Sequence, residues 1–136
     1  MTAYATLQDV YSLGLRSEAM GSITPTQQQA ILDSENAQAD SYLRGRYQLP
    51  LLEWDTDLRL AISQRTAWRI LCLRGFNPES GADISVRQGY DDATRWLEGI
   101  QRGSSHPNVT PSAAATIGTA YAQPQALSAN SPRGWR

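Results

Sequence analysis

The sequence predicts an all-α fold: a small bundle of about four helices, residues 1–103, followed by an extended C-terminal arm, residues 104–136. Three observations carry this. Apolar residues recur at three- and four-residue steps in four separate stretches, which is the helical period. Helix caps stand in front of those stretches, and the strand signal is poor. From Gly103 onward the composition changes to Ala, Ser, Thr and Pro, with no acid at all. The chain has 136 residues, room for one domain.

The first helix lies within Met1 to Leu15. Thr6 is its cap, Asp9 the capping partner, and Leu7, Val10 and Tyr11 its apolar side. It is too short to stand alone in water and must dock on the body. Arg16 to Ile23 is a polar connection. The second helix starts at Thr24, with Pro25 at the position where a missing N–H costs nothing and Gln27 closing a capping box. Ile31, Ser34, Ala37, Ser41, Tyr42 and Gly45 make one face. That face is small rather than greasy, so it suits a close neighbour, either inside the chain or in another subunit. The helix ends at Gly45-Arg46-Tyr47-Gln48-Leu49-Pro50, and the apolar run to Trp54 is expected to tuck against the helices.

The third helix spans Asp55 or Thr56 to Arg74, with acids at its start, Arg74 at its end and Gly75 as cap. It is apolar on several sides and therefore central. Leu58, Ile62, Ile70 and Leu73 are expected core residues. Cys72, the single cysteine, is expected to be a buried thiol. Arg65, Arg69 and Arg74 are expected to pair with acids such as Asp40, Asp91 or Glu98. Phe76 to Ile84 reads as a loop, and Ser85 with Gln88 caps a fourth helix to Gln101. Its core residues are Tyr90, Trp96 and Leu97. Gly89 permits a close crossing.

Composition narrows the function. Twelve basic residues, all arginine, face 13 acids, so the net charge of -1 gives no global attraction to nucleic acid or an anionic membrane. No signal peptide and no membrane span is expected, and the chain reads as a soluble protein of a reducing compartment. His106 is the sole histidine, so no cofactor or metal site is expected. Asp55 and Asp57 are helix-start acids, and Glu35, Asp40, Asp91 and Asp92 lack any partner pattern for acid–base work. With no phosphate-cradling loop and no nucleophile elbow, no enzyme is expected. A DNA-binding helper would need a basic recognition helix, which is missing.

Two strings carry a resemblance. The opening Tyr4 to Val10, and Ala39, Asp40, Ser41, Tyr42, Leu43, Gly45, Arg46, Tyr47, Leu49 and Pro50, resemble the small head-tail adaptor (head completion) proteins of tailed phages, of the Mu-like prophage type. Tyr90-Asp91-Asp92-Ala93 with Trp96, Leu97 and Gly103 is similar to that family's closing helix, and Leu58, Ala61, Ile62, Ala67 and Arg69 fit its middle helix more loosely. The resemblance spans roughly residues 3 to 103. It implies a homo-oligomeric ring of about twelve copies in the virion neck, assembled in the host cytoplasm and seated below the portal. The ring would prolong the DNA channel without sequence-specific binding and offer a platform to a stopper or tail-completion protein.

A ring requires one face of a subunit to meet a different face of the next. The expected interface residues are Ala37, Ser41, Tyr42, Arg44, Arg46, Tyr47, Leu49 and Trp54. The resemblance also implies that the C-terminal segment docks on the portal; the composition of that segment, not the resemblance, offers Val109, Ile117, Tyr121, Leu127, Arg133, Trp135 and Arg136 as its expected contacts. Another neck or tail-completion protein is the alternative reading.

Overall fold

The computed structural model describes residues 2–112. Among them are four α-helices and a two-stranded antiparallel ribbon. The chain runs α1 (Leu7–Leu13), a 3-10 turn (Ser17–Met20), α2 (Pro25–Leu43), β1 (Leu51–Trp54), α3 (Thr56–Arg74), α4 (Gly81–Arg102) and β2 (Val109–Pro111). The helical bundle is as the sequence predicts. Helix α3 is the central element and packs against α1, α2 and α4.

Two of the three expected capping boxes form, those of α1 and α2. The Thr6 hydroxyl accepts from the Asp9 N–H while Asp9 accepts from the Thr6 N–H, and Thr24 and Gln27 do the same for α2. Helix α1 comes so close to α3 that Gly14 has no room for a side chain. A Cβ there would lie 2.7 Å from the Ser63 carbonyl and 2.8 Å from the Ala67 Cβ.

Of the two readings of the small-residue face of α2, packing inside the chain is corrected: the helix buries a different face. Gln28, Leu32, Glu35, Asn36, Ala39 and Leu43 point inward, while Ser34, Ala37 and Ser41 are exposed. The helical period is as read, and the small-residue side faces outward. Polar side chains occupy the inner stripe because each has a partner there. Gln28 donates to the Ile23 carbonyl at 2.9 Å and accepts from the Tyr11 hydroxyl. Asn36 bonds both the N–H and the C=O of Ala5, as a strand neighbour would.

Further expectations are corrected. Helix α4 starts at Gly81, not Ser85, because Ser80 caps it and Asp83 in the first turn is buried against Arg74 and the Asn77 N–H. Ser85 instead bonds back to the Gly81 carbonyl at 3.0 Å. Leu73 is 57% exposed rather than core. It shares a stripe of α3 with Ile62 and Thr66, but the buried side of the helix has rotated to Ile70 and Leu71 by the last turns. Cys72 is exposed for the same reason. Leu58, Ile62, Ile70 and Leu97 are core, and Tyr90 and Trp96 are half-buried.

The folded body also continues past residue 103. Strand β2 pairs with β1, with Leu51 opposite Pro111 and Trp54 opposite Val109, and a register shift falls between Leu51 and Glu53. The Asn108 N–H donates to Asp57 at 2.8 Å, and the Ser112 N–H donates to the Gln48 carbonyl at 3.0 Å. The Leu49–Pro50 peptide that leads into β1 is cis.

Candidate interaction site

A charged node joins three helices. Arg65 Nε of α3 donates to Glu35 Oε1 of α2 at 2.7 Å, and Arg69 Nη1 reaches Glu35 Oε2 at 2.8 Å. Arg65 Nη1 also donates to the Thr94 hydroxyl of α4 at 2.7 Å. The Arg65 guanidinium lies 4.9 Å from the Tyr90 ring centre and 5.7 Å from that of Tyr42, which adds cation–π attraction. Burial works against its charge. The hydrogen bond and charge of Glu35, then the facing Tyr90 and Tyr42, more than offset that, so its pKa stands above the ordinary value. The expected partners Asp40, Asp91 and Glu98 do not make these bonds. Glu35 does, and Asp83 takes Arg74 at 2.8 Å.

A second cluster ties down the N-terminus. The Tyr4 hydroxyl donates to Asp40, and the Trp54 indole N–H donates to the Tyr4 carbonyl at 2.9 Å. The Tyr4 and Trp54 rings meet edge to face, 5.1 Å apart. Burial first, then the Asp40 bond and charge, push the Tyr4 pKa well above its ordinary value. The opening string and the Ala39 to Pro50 string are therefore close together, because Tyr4 of one is bonded to Asp40 of the other.

The expected interface residues divide into two groups. Ala37, Ser41 and Arg44 are exposed on the outside of α2. Tyr42, Tyr47, Leu49 and Trp54 are half-buried against the chain's own core. Burial raises the Tyr47 pKa. Arg46 is exposed but donates to the Gln101 carbonyl at 3.1 Å, at the end of α4. Its guanidinium lies where a side chain on Gly103 would be, 2.9 Å from the Cβ position, and Gly103 has a positive φ of 86°. Among the expected portal contacts, Val109 is half-buried in β2. Ile117, Tyr121, Leu127, Arg133, Trp135 and Arg136 lie outside the described residues.

Sequence reasoning missed Glu35 as the hub and the two uncovered ends of α3. At the first end, Leu52, Glu53, Trp54, Asp55, Arg59, Asn108 and Thr110 line an open groove of about 550 Å³. At the other, Arg69, Cys72 and Leu73 are exposed beside Trp68, which stacks edge-on against Phe76 at 5.2 Å. Among the described residues no cluster of His, Cys, Asp and Glu could hold a metal ion, and no helix is long and apolar enough to cross a membrane.

No curated protein and no solved structure matches the chain. A family model described as "Bacteriophage Mu, Gp36" matches residues 1–123. That match covers the bundle, the ribbon and both diagnostic strings, so the chain belongs to the bacteriophage Mu Gp36 family and is a Mu-like phage protein.

Proposed function

We propose that the chain is a structural adaptor of the phage neck. Copies form a ring below the portal, extend the DNA channel, and offer a platform for a stopper or tail-completion protein. The family match over residues 1–123 carries this reading, together with the adaptor-like strings at Tyr4 to Val10 and Ala39 to Pro50.

The geometry supports it in two ways. Tyr4 and Asp40 bind the two motif strings to each other, Trp54, Glu35 and Arg65 bind them into the bundle, and Ala37, Ser41 and Arg44 stay outside for a neighbour. All 13 acids and all but two of the 12 arginines precede residue 113, so the body is acidic and the last segment basic. An acidic body does not grip DNA passing through a lumen. The segment after Ser112 is the proposed portal contact, with Tyr121 and Trp135 as aromatic anchors and Arg133 and Arg136 as its charges.

A chain ending at Ser112 tests the portal contact. It keeps β2 and its bonds to Gln48 and Asp57. It should stay folded and lose portal binding in a pull-down. Undiminished binding would overturn the proposed contact.

A further inference from the structure

Helix α3 has 19 residues and so spans about 28 Å. Its two ends differ in charge. At the first end, Glu53 and Asp55 outnumber Arg59 around the open groove, and Leu52 stands 63% exposed at its rim. Asp55 is held ionised by the Thr56 N–H, then the Thr56 hydroxyl and Asn108, which lower its pKa.

At the last end Arg69 and Arg87 are exposed beside Trp68, with the acids Glu79 and Asp91 exposed on the following loop and on α4. The carboxylate of Glu35 is buried and already shared by Arg65 and Arg69. Arg87 of α4 lies 6.0 Å over the Trp68 ring and makes no ion pair among the described residues. Cys72 sits between these cations. Burial raises its pKa, and the charges of Arg69 and Arg87 pull against that rise. Leu73 adds an exposed apolar side chain. Arginine, tryptophan and an exposed leucine around one spot make the composition of an interface centre.

Cation and aromatic at one end match acid and groove at the other, and each end offers a leucine. The two patches lie at opposite ends of one helix, so a single copy cannot satisfy itself.

We propose that copies of this chain associate head to tail, the Trp68–Leu73 end of α3 on one copy seating on the Leu52–Asp55 groove of the next. This rests on the ring reading and assigns the surfaces that build it. The contact joins two different patches, so it propagates from copy to copy and closes where the rotation allows.

The chain's single native cysteine makes the test direct. A Leu52→Cys variant of the full chain, with and without portal, is treated with a short bis-maleimide cross-linker. Cys72 of one copy and residue 52 of the next should join, giving a ladder of trimers and higher species. Leu52→Cys with Cys72→Ser should give none. Adding Arg87→Glu, an exposed position, should cut ladder yield about tenfold, and Glu53→Arg on top should restore it. No ladder, or only dimers that wild type also gives, overturns the assigned surfaces. The mass of wild type in the same conditions separates the two readings. Wild-type rings without a ladder overturn the surfaces and leave the ring reading standing. A monomeric wild type throughout overturns both.

Discussion

Glu35 of α2 and Arg65 of α3 lie 2.7 Å apart with almost no exposure of either side chain. The pair is 30 residues apart in sequence and clamps two helices whose other contacts are largely apolar. Arg65 then carries the clamp to α4 through Thr94. Removing one charge leaves the other buried, which costs about 3–5 kcal/mol. Glu35→Ala should therefore lower stability by that amount in urea denaturation. Arg69→Ala should cost much less, because its side chain is 48% exposed. Equal losses from the two variants would mean that burial of the pair is not what matters.

Tyr4 makes stability depend on alkaline pH. Its folded pKa is raised above the ordinary 10.0, so the neutral hydroxyl favours the folded state. That contribution is complete below 10.0 and is lost as pH climbs toward the raised folded value. Wild type should lose stability steeply above pH 10, and Tyr4→Phe should flatten the loss. At neutral pH the variant should be less stable by about 1–3 kcal/mol, since Tyr4 donates to a charged acceptor. Parallel pH profiles for the two proteins would contradict this account.

Gly14 and Ser63 test the α1–α3 crossing from both sides. Gly14→Ala puts a Cβ against the Ser63 carbonyl, a backbone atom that cannot swing away, and should cost about 1–3 kcal/mol in denaturant melts. The Ser63 hydroxyl is buried with no hydrogen-bond partner among the described residues. Ser63→Ala should raise stability by about 1 kcal/mol. A destabilised Ser63→Ala would show that the hydroxyl has a partner after all.

The ribbon predicts where the chain can be cut. Ending it at Arg102 removes Val109 and Thr110 from β1 and takes Asn108 from Asp55 and Asp57. That shorter chain should show faster amide exchange across Leu51–Trp54 than the chain ending at Ser112. Equal exchange would mean that β2 adds nothing to the body.

What the sequence revealed was local. The caps at Thr6 and Thr24 were readable because their partners sit three residues away, and α3 was readable from its apolar length. The buried face of α2 was not. Glu35, Asn36 and Gln28 look like surface residues until Arg65, Ala5 and Tyr11 are brought beside them. The β1–β2 pairing joins segments more than fifty residues apart through only three residues of β2, too few for a pattern. In the sequence α4 reads as starting at Ser85, one turn late, because the tie of Arg74 to Asp83 that holds the true first turn is not a capping pattern. The exposure of Leu73 and Cys72 depends on which side of α3 its neighbours cover in the last turns, which no periodicity within α3 records.

The most direct test of the adaptor reading is the mass of the purified full-length chain in solution, alone and after mixing with its portal protein. The account predicts a ring-sized assembly bound to the portal. A chain that stays monomeric in both conditions and leaves the portal unbound would contradict it.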